Sequence, residues 1–185
     1  TDYSIKQFIE TAKQQPWFEN TLFVFVGDHG VKGNAKALYP DAWTNERLTD
    51  EHIPLLFYAP GFIKPEKRKE AVSQIDVLPT IAGLLNQPYT NTTIGRDLLR
   101  KQGAKDFAFI IHHDEGKIGL VNNDFYYILN MNLQKDTLVP VRFNTPILSA
   151  SKYESIKKQL ATETIALYES CLLYTSPSPR DRQKS

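Results

Sequence analysis

The sequence predicts an α/β fold from three observations. An amphipathic segment precedes a continuous apolar run, a polar and irregular stretch follows, and a second apolar run then ends at a Pro-Gly turn. Residues 2–15 place Ile5, Phe8, Ile9 and Ala12 at helical spacing, with Asp2 positioned as an N-cap and Pro16 as the stop. Trp17 and Phe18 are expected beneath the end of this helix. Residues 21–26, Thr-Leu-Phe-Val-Phe-Val, are closed by Gly27 and have the continuous apolar character of a strand buried on both faces, which assigns them as a central parallel strand. The second run, residues 53–59, ends at Pro60-Gly61.

Farther along, residues 76–85 read as a short helix with Asp76 as its cap and Pro79 tolerated in the first turn. Three short strands are expected at 107–111, 117–121 and 125–129, with Asn122-Asn123-Asp124 as the turn between the last two. They form a small antiparallel sheet. A terminal helix over 151–168 carries Ile156, Leu160, Ile165 and Leu167 among lysines and glutamates. Residues 171–185 show no continuing periodicity and read either as a translated sequencing adapter or expression scar, or as a native flexible Ser/Pro tail.

Composition narrows the function classes. With 185 residues, 41% hydrophobic and 23% charged, the chain can bury a core of its own. The 22 basic and 21 acidic residues leave a formal charge of +1, so no global field points to nucleic acid or to an anionic membrane surface. A single cysteine, Cys171, excludes an internal disulfide framework and a multi-thiolate metal site. No apolar run approaches the roughly 20 residues that span a bilayer. The chain opens on Thr1 in mid-pattern, without an initiator Met or a signal peptide, and is expected to be part of a longer protein.

The chemistry concentrates at Gly27-Asp28-His29-Gly30, directly after the first apolar run. In open α/β sheets ligands bind beyond the C-terminal ends of strands, and here a carboxylate and an imidazole stand at that position. The flanking glycines would let the backbone turn sharply and aim both side chains at one point. A hard oxygen beside an imidazole nitrogen suits Mn²⁺, Zn²⁺ or Mg²⁺ better than a soft metal. Two ligands do not complete a catalytic site, which needs at least three, so others must come from elsewhere. Without further context, a capping Asp28 beside a packed His29 would be the better explanation of so common a dipeptide. A non-catalytic α/β binding module is the corresponding functional alternative.

The context is an ordered series: Phe23-Val24-Phe25-Val26-Gly27-Asp28-His29-Gly30, then Glu51-His52-Ile53-Pro54-Leu55-Leu56-Phe57-Tyr58-Ala59-Pro60-Gly61, then Ser73-Gln74-Ile75-Asp76-Val77-Leu78-Pro79-Thr80. It resembles the sulfatase-type family of the alkaline phosphatase superfamily, and within it the lipoteichoic acid synthase-like phosphoglycerol transferases. The resemblance covers residues 2–100 and implies a large mixed sheet between helices, with a smaller antiparallel C-terminal sheet and a terminal helix. Residues 1–170 would then be the C-terminal portion of a catalytic domain. It implies a divalent metal, Mn²⁺ first and Zn²⁺, Mg²⁺ or Ca²⁺ otherwise, held partly by Asp28 and His29. The nucleophile and the remaining acidic ligand would lie in an N-terminal half, which thereby becomes a required partner. The implied substrate is a small anionic ester or lipid headgroup, phosphoglycerol-type or, as the alternative, a sulfate ester. The implied location is the periplasmic or extracellular face, with a membrane-anchored parent protein.

The departures are also informative. The loop Val31-Lys32-Gly33-Asn34-Ala35-Lys36 has lysines where many relatives add a His. His52 stands where many relatives have Arg before the Pro-containing strand, and either faces the substrate anion or packs at the strand entrance. Asp76 and Thr80 match a recurrent motif of the family, yet a helix cap explains Asp76 without catalysis. His112-His113-Asp114 resembles a metal cluster, but successive residues leaving a strand point to opposite faces, so a solvated strand end is expected. Phe125-Tyr126-Tyr127 is read as sheet packing rather than as a platform for sugars.

Overall fold

The computed structural model describes residues 2–100 and 106–175. They form two compact units, one built from residues up to 32 together with 49–69, the other from 33–48 together with the chain from 70 onward.

In the first unit, helix α1 (Asp2–Ala12) is shorter than its periodicity suggests, and Asp2 lies inside its first turn. The chain then passes through a short 3₁₀ turn at Phe18–Asn20 into β1 (Phe23–Val26). Ala12, Phe18 and Phe23 form the core, with Phe25 and Tyr58 against it. Aromatic packing dominates: the Phe23 ring lies 5.5 Å from Phe18, 5.8 Å edge-on from Phe8 and 6.1 Å from Tyr58. Trp17 also approaches Phe23 but stays half exposed. The second run supplies β2 (Leu55–Tyr58), which pairs with β1 from Phe23↔Tyr58 to Val26↔Leu55.

That pairing is antiparallel, which corrects the expected parallel strand. A continuous apolar run shows that a strand will be buried but says nothing about the direction of its neighbour. Nor is either strand covered on both faces, since Val26 and Leu56 are half exposed.

The second unit is a four-stranded antiparallel meander in the order β3-β4-β5-β6. Its strands are β3 (Ala108–His112), β4 (Lys117–Val121), β5 (Phe125–Asn130) and β6 (Lys135–Pro140). The β4–β5 turn forms where expected, with the Asn122 side chain accepting from the amides of Asp124 and Phe125. Strand alternation divides β5 between two cores. Tyr126 and Ile128 join Leu48, Ile110 and Val141 on one face, whereas Phe125 and Tyr127 join Leu120, Leu138 and Leu160 on the other. Helix α5 (Ala150–Thr175) supplies Leu160 and covers the second face. It continues to Thr175 instead of stopping near 168, and the rest of the tail lies outside the described residues.

Strand β6 is the element the pattern does not reveal. Its Lys135-Asp136 start and Pro140 end read as a loop, but these are residues an edge strand tolerates. His112 is also corrected: it is buried at the end of β3, while His113 and Asp114 are exposed as a solvated strand end requires. Between the units' contributions, two short helices, α2 (Ala42–Asn45) and α3 (Leu48–Glu51), punctuate the long polar stretch. Trp43 of α2 donates its indole N–H to the Val141 carbonyl at 2.8 Å, and Arg47 pairs with Glu115. These two contacts tie 33–48 to the meander.

Helix α4 (Val77–Leu84) follows a 3₁₀ turn at Gln74–Asp76. Asp76 does more than cap it. Its carboxylate is 1% exposed and accepts from the amides of Ser73 (3.0 Å) and Arg96 (2.7 Å) and from the Arg96 guanidinium (2.8 Å). Fully buried Thr80 donates to the Asp76 carbonyl at 2.6 Å and accepts from the Leu98 amide at 3.0 Å. Arg96 also donates to the Phe107 carbonyl and lies 4.3 Å above the Phe107 ring. The Asp76…Thr80 motif is therefore a clamp that fastens the returning chain at 96–98 to α4.

Candidate metal centre

The position of Asp28 and His29 follows from how the end of β1 is held. The Gly27 amide donates to the Pro54 carbonyl at 3.1 Å, extending the β1–β2 ladder by one step. A Cβ on Gly27 would stand 3.0 Å from the Ile53 Cβ, tighter than ordinary packing. Gly30 is more constrained still. Its amide donates to the Asp50 carbonyl at 2.6 Å, and a Cβ there would overlap the Thr49 carbonyl oxygen. Among the described residues only Gly116 is a glycine of positive φ, so Gly27 and Gly30 serve by permitting close backbone approach rather than a left-handed turn. The expected role of the two glycines, a sharp turn, gives way to close backbone approach.

Pinned on both sides, residues 28 and 29 project outward. The side chains of Asp28 and His29 are 90% and 78% exposed, with Asp28 Oδ2 3.8 Å from His29 Nε2. Asp28 Oδ1 accepts from the His29 amide at 2.9 Å, and this bond holds its carboxyl below the usual carboxylate range, with the His29 charge adding to the effect. His29 Nδ1 lies 2.7 Å from the Gly30 carbonyl. A carbonyl only accepts, so Nδ1 carries the proton, and in the neutral ring Nε2 keeps its lone pair. The same contact, together with the Asp28 carboxylate, raises the imidazole's proton affinity.

This geometry fits a divalent cation by donor chemistry. A carboxylate and an imidazole stand side by side, and the far ring nitrogen is fixed by a backbone carbonyl in the manner that orients metal-ligating histidines. Among the described residues no third His, Cys, Asp or Glu joins them in a cluster able to hold a metal. His52 lies exposed in the link between α3 and β2, one position before the Ile53 that packs against Gly27. Arg96, the residue that fixes Asp76, escaped the sequence reading because no periodicity connects two positions that meet through a loop.

Comparison with known proteins places these motifs. Residues 1–87 match the family model described as Sulfatase. A lipoteichoic acid synthase-like protein of Bacillus subtilis is 26% identical over 139 residues, covering 70% of this chain and 22% of its own length. Lipoteichoic acid synthase 2 of the same organism is 29% identical over 116 residues, covering 58% of this chain and 18% of its own length. The chain thus spans about a fifth of the length of these curated relatives. The crystal structure of the lipoteichoic acid synthase LtaP from Listeria monocytogenes shares the fold, with a TM-score of 0.57 at 19% identity over 90% of this chain and 43% of that one.

Proposed function

We propose that this chain, whose residues 1–87 match the Sulfatase family model, supplies part of the metal centre of an enzyme of the alkaline phosphatase superfamily that transfers or hydrolyses anionic esters. The observation that carries this reading is the outward pair at the end of β1, Asp28 Oδ2 and His29 Nε2 at 3.8 Å, with Nδ1 engaged by the Gly30 carbonyl. Asp28 and His29 would hold a divalent cation, Mn²⁺ in preference to Zn²⁺, Mg²⁺ or Ca²⁺, because mixed oxygen and nitrogen donors suit it. When bound, such a cation neutralises ester oxygens and lowers the pKa of a nucleophile.

This chain's own residues perform the supporting steps. Asp28 stays ionised across the neutral range and brings one negative charge. His29 must release its proton from Nε2 to become a donor, and the Gly30 carbonyl keeps the ring from rotating away. His52, exposed before β2, is the candidate for facing the substrate anion. The nucleophile and the remaining ligands come, on this reading, from an N-terminal half of the same catalytic domain, to which residues 1–170 contribute the C-terminal portion. Two features support that partner: β1 and β2 pair only with each other among the described residues, and Val26 and Leu56 are left half exposed.

Phosphoglycerol-type esters are the preferred substrates, in keeping with the lipoteichoic acid synthase relatives, and the site of action is outside the cytoplasm behind a membrane anchor. No helix among the described residues is long and apolar enough to cross a membrane, so an anchor would belong to another part of the protein. Sulfate-ester hydrolysis is the second reading, favoured by the family model itself. The test uses the intact enzyme. Asp28→Ala and His29→Ala are expected to lose bound Mn²⁺ and to lower turnover by roughly a hundredfold or more. Unchanged metal content and turnover in both variants would contradict the assignment. Comparing a glycerophosphate diester with an aryl sulfate then separates the two substrate readings.

A further inference from the structure

In the second unit, the loop that follows α4 borders an open cavity of about 690 Å³. That volume lies within the range of about 300–1,000 Å³ typical of small-molecule sites. Pro79, Ala82 and Gly83 of α4 form one wall, and Asn86, Tyr89 and Arg100 are among the side chains that line the rest. The wall is built by design of the sequence. A Cβ on Gly83 would overlap the Asp97 carboxylate, so glycine is what lets Asp97 sit against the helix. Asp97 in turn accepts from the Leu99 amide at 3.0 Å and holds the Arg100 Nε at 3.3 Å.

The lining groups keep much of their bonding capacity. Among the described residues neither the Asn86 side-chain carboxamide nor the Tyr89 hydroxyl makes a hydrogen bond, and the Arg100 guanidinium commits only its Nε. The charges, by contrast, are spent. Arg96 is neutralised by Asp76 and Arg100 by Asp97, so an anion entering the cavity gains no net field and meets the Asp97 carboxylate. Unspent amide, hydroxyl and guanidinium groups beside an exposed aromatic ring, without net charge, match a neutral polyhydroxylic ligand. Its hydroxyls would find donors and acceptors, and its C–H face would find the Tyr89 ring.

We propose that this cavity is a saccharide-binding site, built from the second unit's own residues and independent of the function proposed for Asp28 and His29. The site would recognise one or two neutral sugar units. Saturation-transfer NMR on the full chain tests this, with methyl β-glucoside, N-acetylglucosamine and maltose as probes and glycerol 3-phosphate as the anionic comparison. At least one saccharide is expected to bind. Its affinity should fall roughly tenfold in Tyr89→Ala and in Asn86→Gly, which removes the carboxamide yet suits the left-handed backbone of residue 86, and less in Tyr89→Phe, which keeps the ring. Asp28→Ala should leave saccharide binding unchanged, which keeps this result distinct from the fate of the metal centre. The proposal is overturned if no saccharide binds, if Tyr89→Ala and Asn86→Gly both bind as well as the parent, or if glycerol 3-phosphate binds while the sugars do not.

Discussion

Asp28 and Asp76 both lie in motifs that the sequence marks for attention, and they end in opposite circumstances. Asp28 is 90% exposed and accepts from the His29 amide, with the His29 imidazole beside it. Asp76 is 1% exposed and bonded by two amides and a guanidinium. A carboxylate whose valences are saturated by its own chain has nothing left for a ligand, whereas one held at the surface by glycine-docked backbone does. The difference separates a residue that maintains the fold, at the start of α4, from one that follows β1 and that we propose serves a ligand.

The largest expected effect comes from the buried partner. Asp76→Ala leaves the Arg96 guanidinium without its counter-charge in a mostly buried setting, and the cost should be about 3–5 kcal/mol. An unfolding free energy from denaturant titration lowered by that amount supports the clamp, and a change under about 1 kcal/mol would place Asp76 in the same class as Asp28.

A smaller effect is expected at Glu115, which bonds Lys117 at 2.7 Å and also pairs with Arg47. These cations hold its carboxyl at about 2. Its folded value lies below its unfolded one, so its contribution is present above the ordinary carboxylate range and is lost as pH falls through that range toward about 2. With the side chain partly exposed, about 1–2 kcal/mol is expected after solvent screening. Stability measured between pH 2 and about 5 should lose that much of its slope in Glu115→Gln; an unaltered slope would mean that the pair adds nothing.

The smallest effect on stability is expected at the site itself. Asp28→Ala and His29→Ala should leave the denaturation midpoint unchanged, because neither side chain packs against the fold. A clear loss of stability would show that the pair is structural and that the capping alternative is correct.

Parts of this were legible from residues alone. The β1 run, the Asn122 turn and most of the amphipathic face of α5 depend on neighbours in sequence and formed where expected, although Ile165 is left exposed and α5 runs on to Thr175. Asp28 and His29 could be singled out because a buried strand ended on them between two glycines. What could not be read depends on distant partners. The antiparallel direction of β2, the burial of His112 and the role of Arg96 are set by chain returning from elsewhere. Strand β6 was hidden for another reason: an edge strand with Lys135, Asp136 and Pro140 carries the composition of a loop.

The central claim is that Asp28 and His29 are metal donors, and Mn²⁺ titration followed by the EPR signal of the free ion tests it most directly. The full chain should bind Mn²⁺ weakly, since two donors do not close a site, and binding should disappear in both Asp28→Ala and His29→Ala. It should also weaken as pH falls below the raised value of His29, where Nε2 is protonated. Binding that is unchanged in both variants and independent of pH would contradict the account.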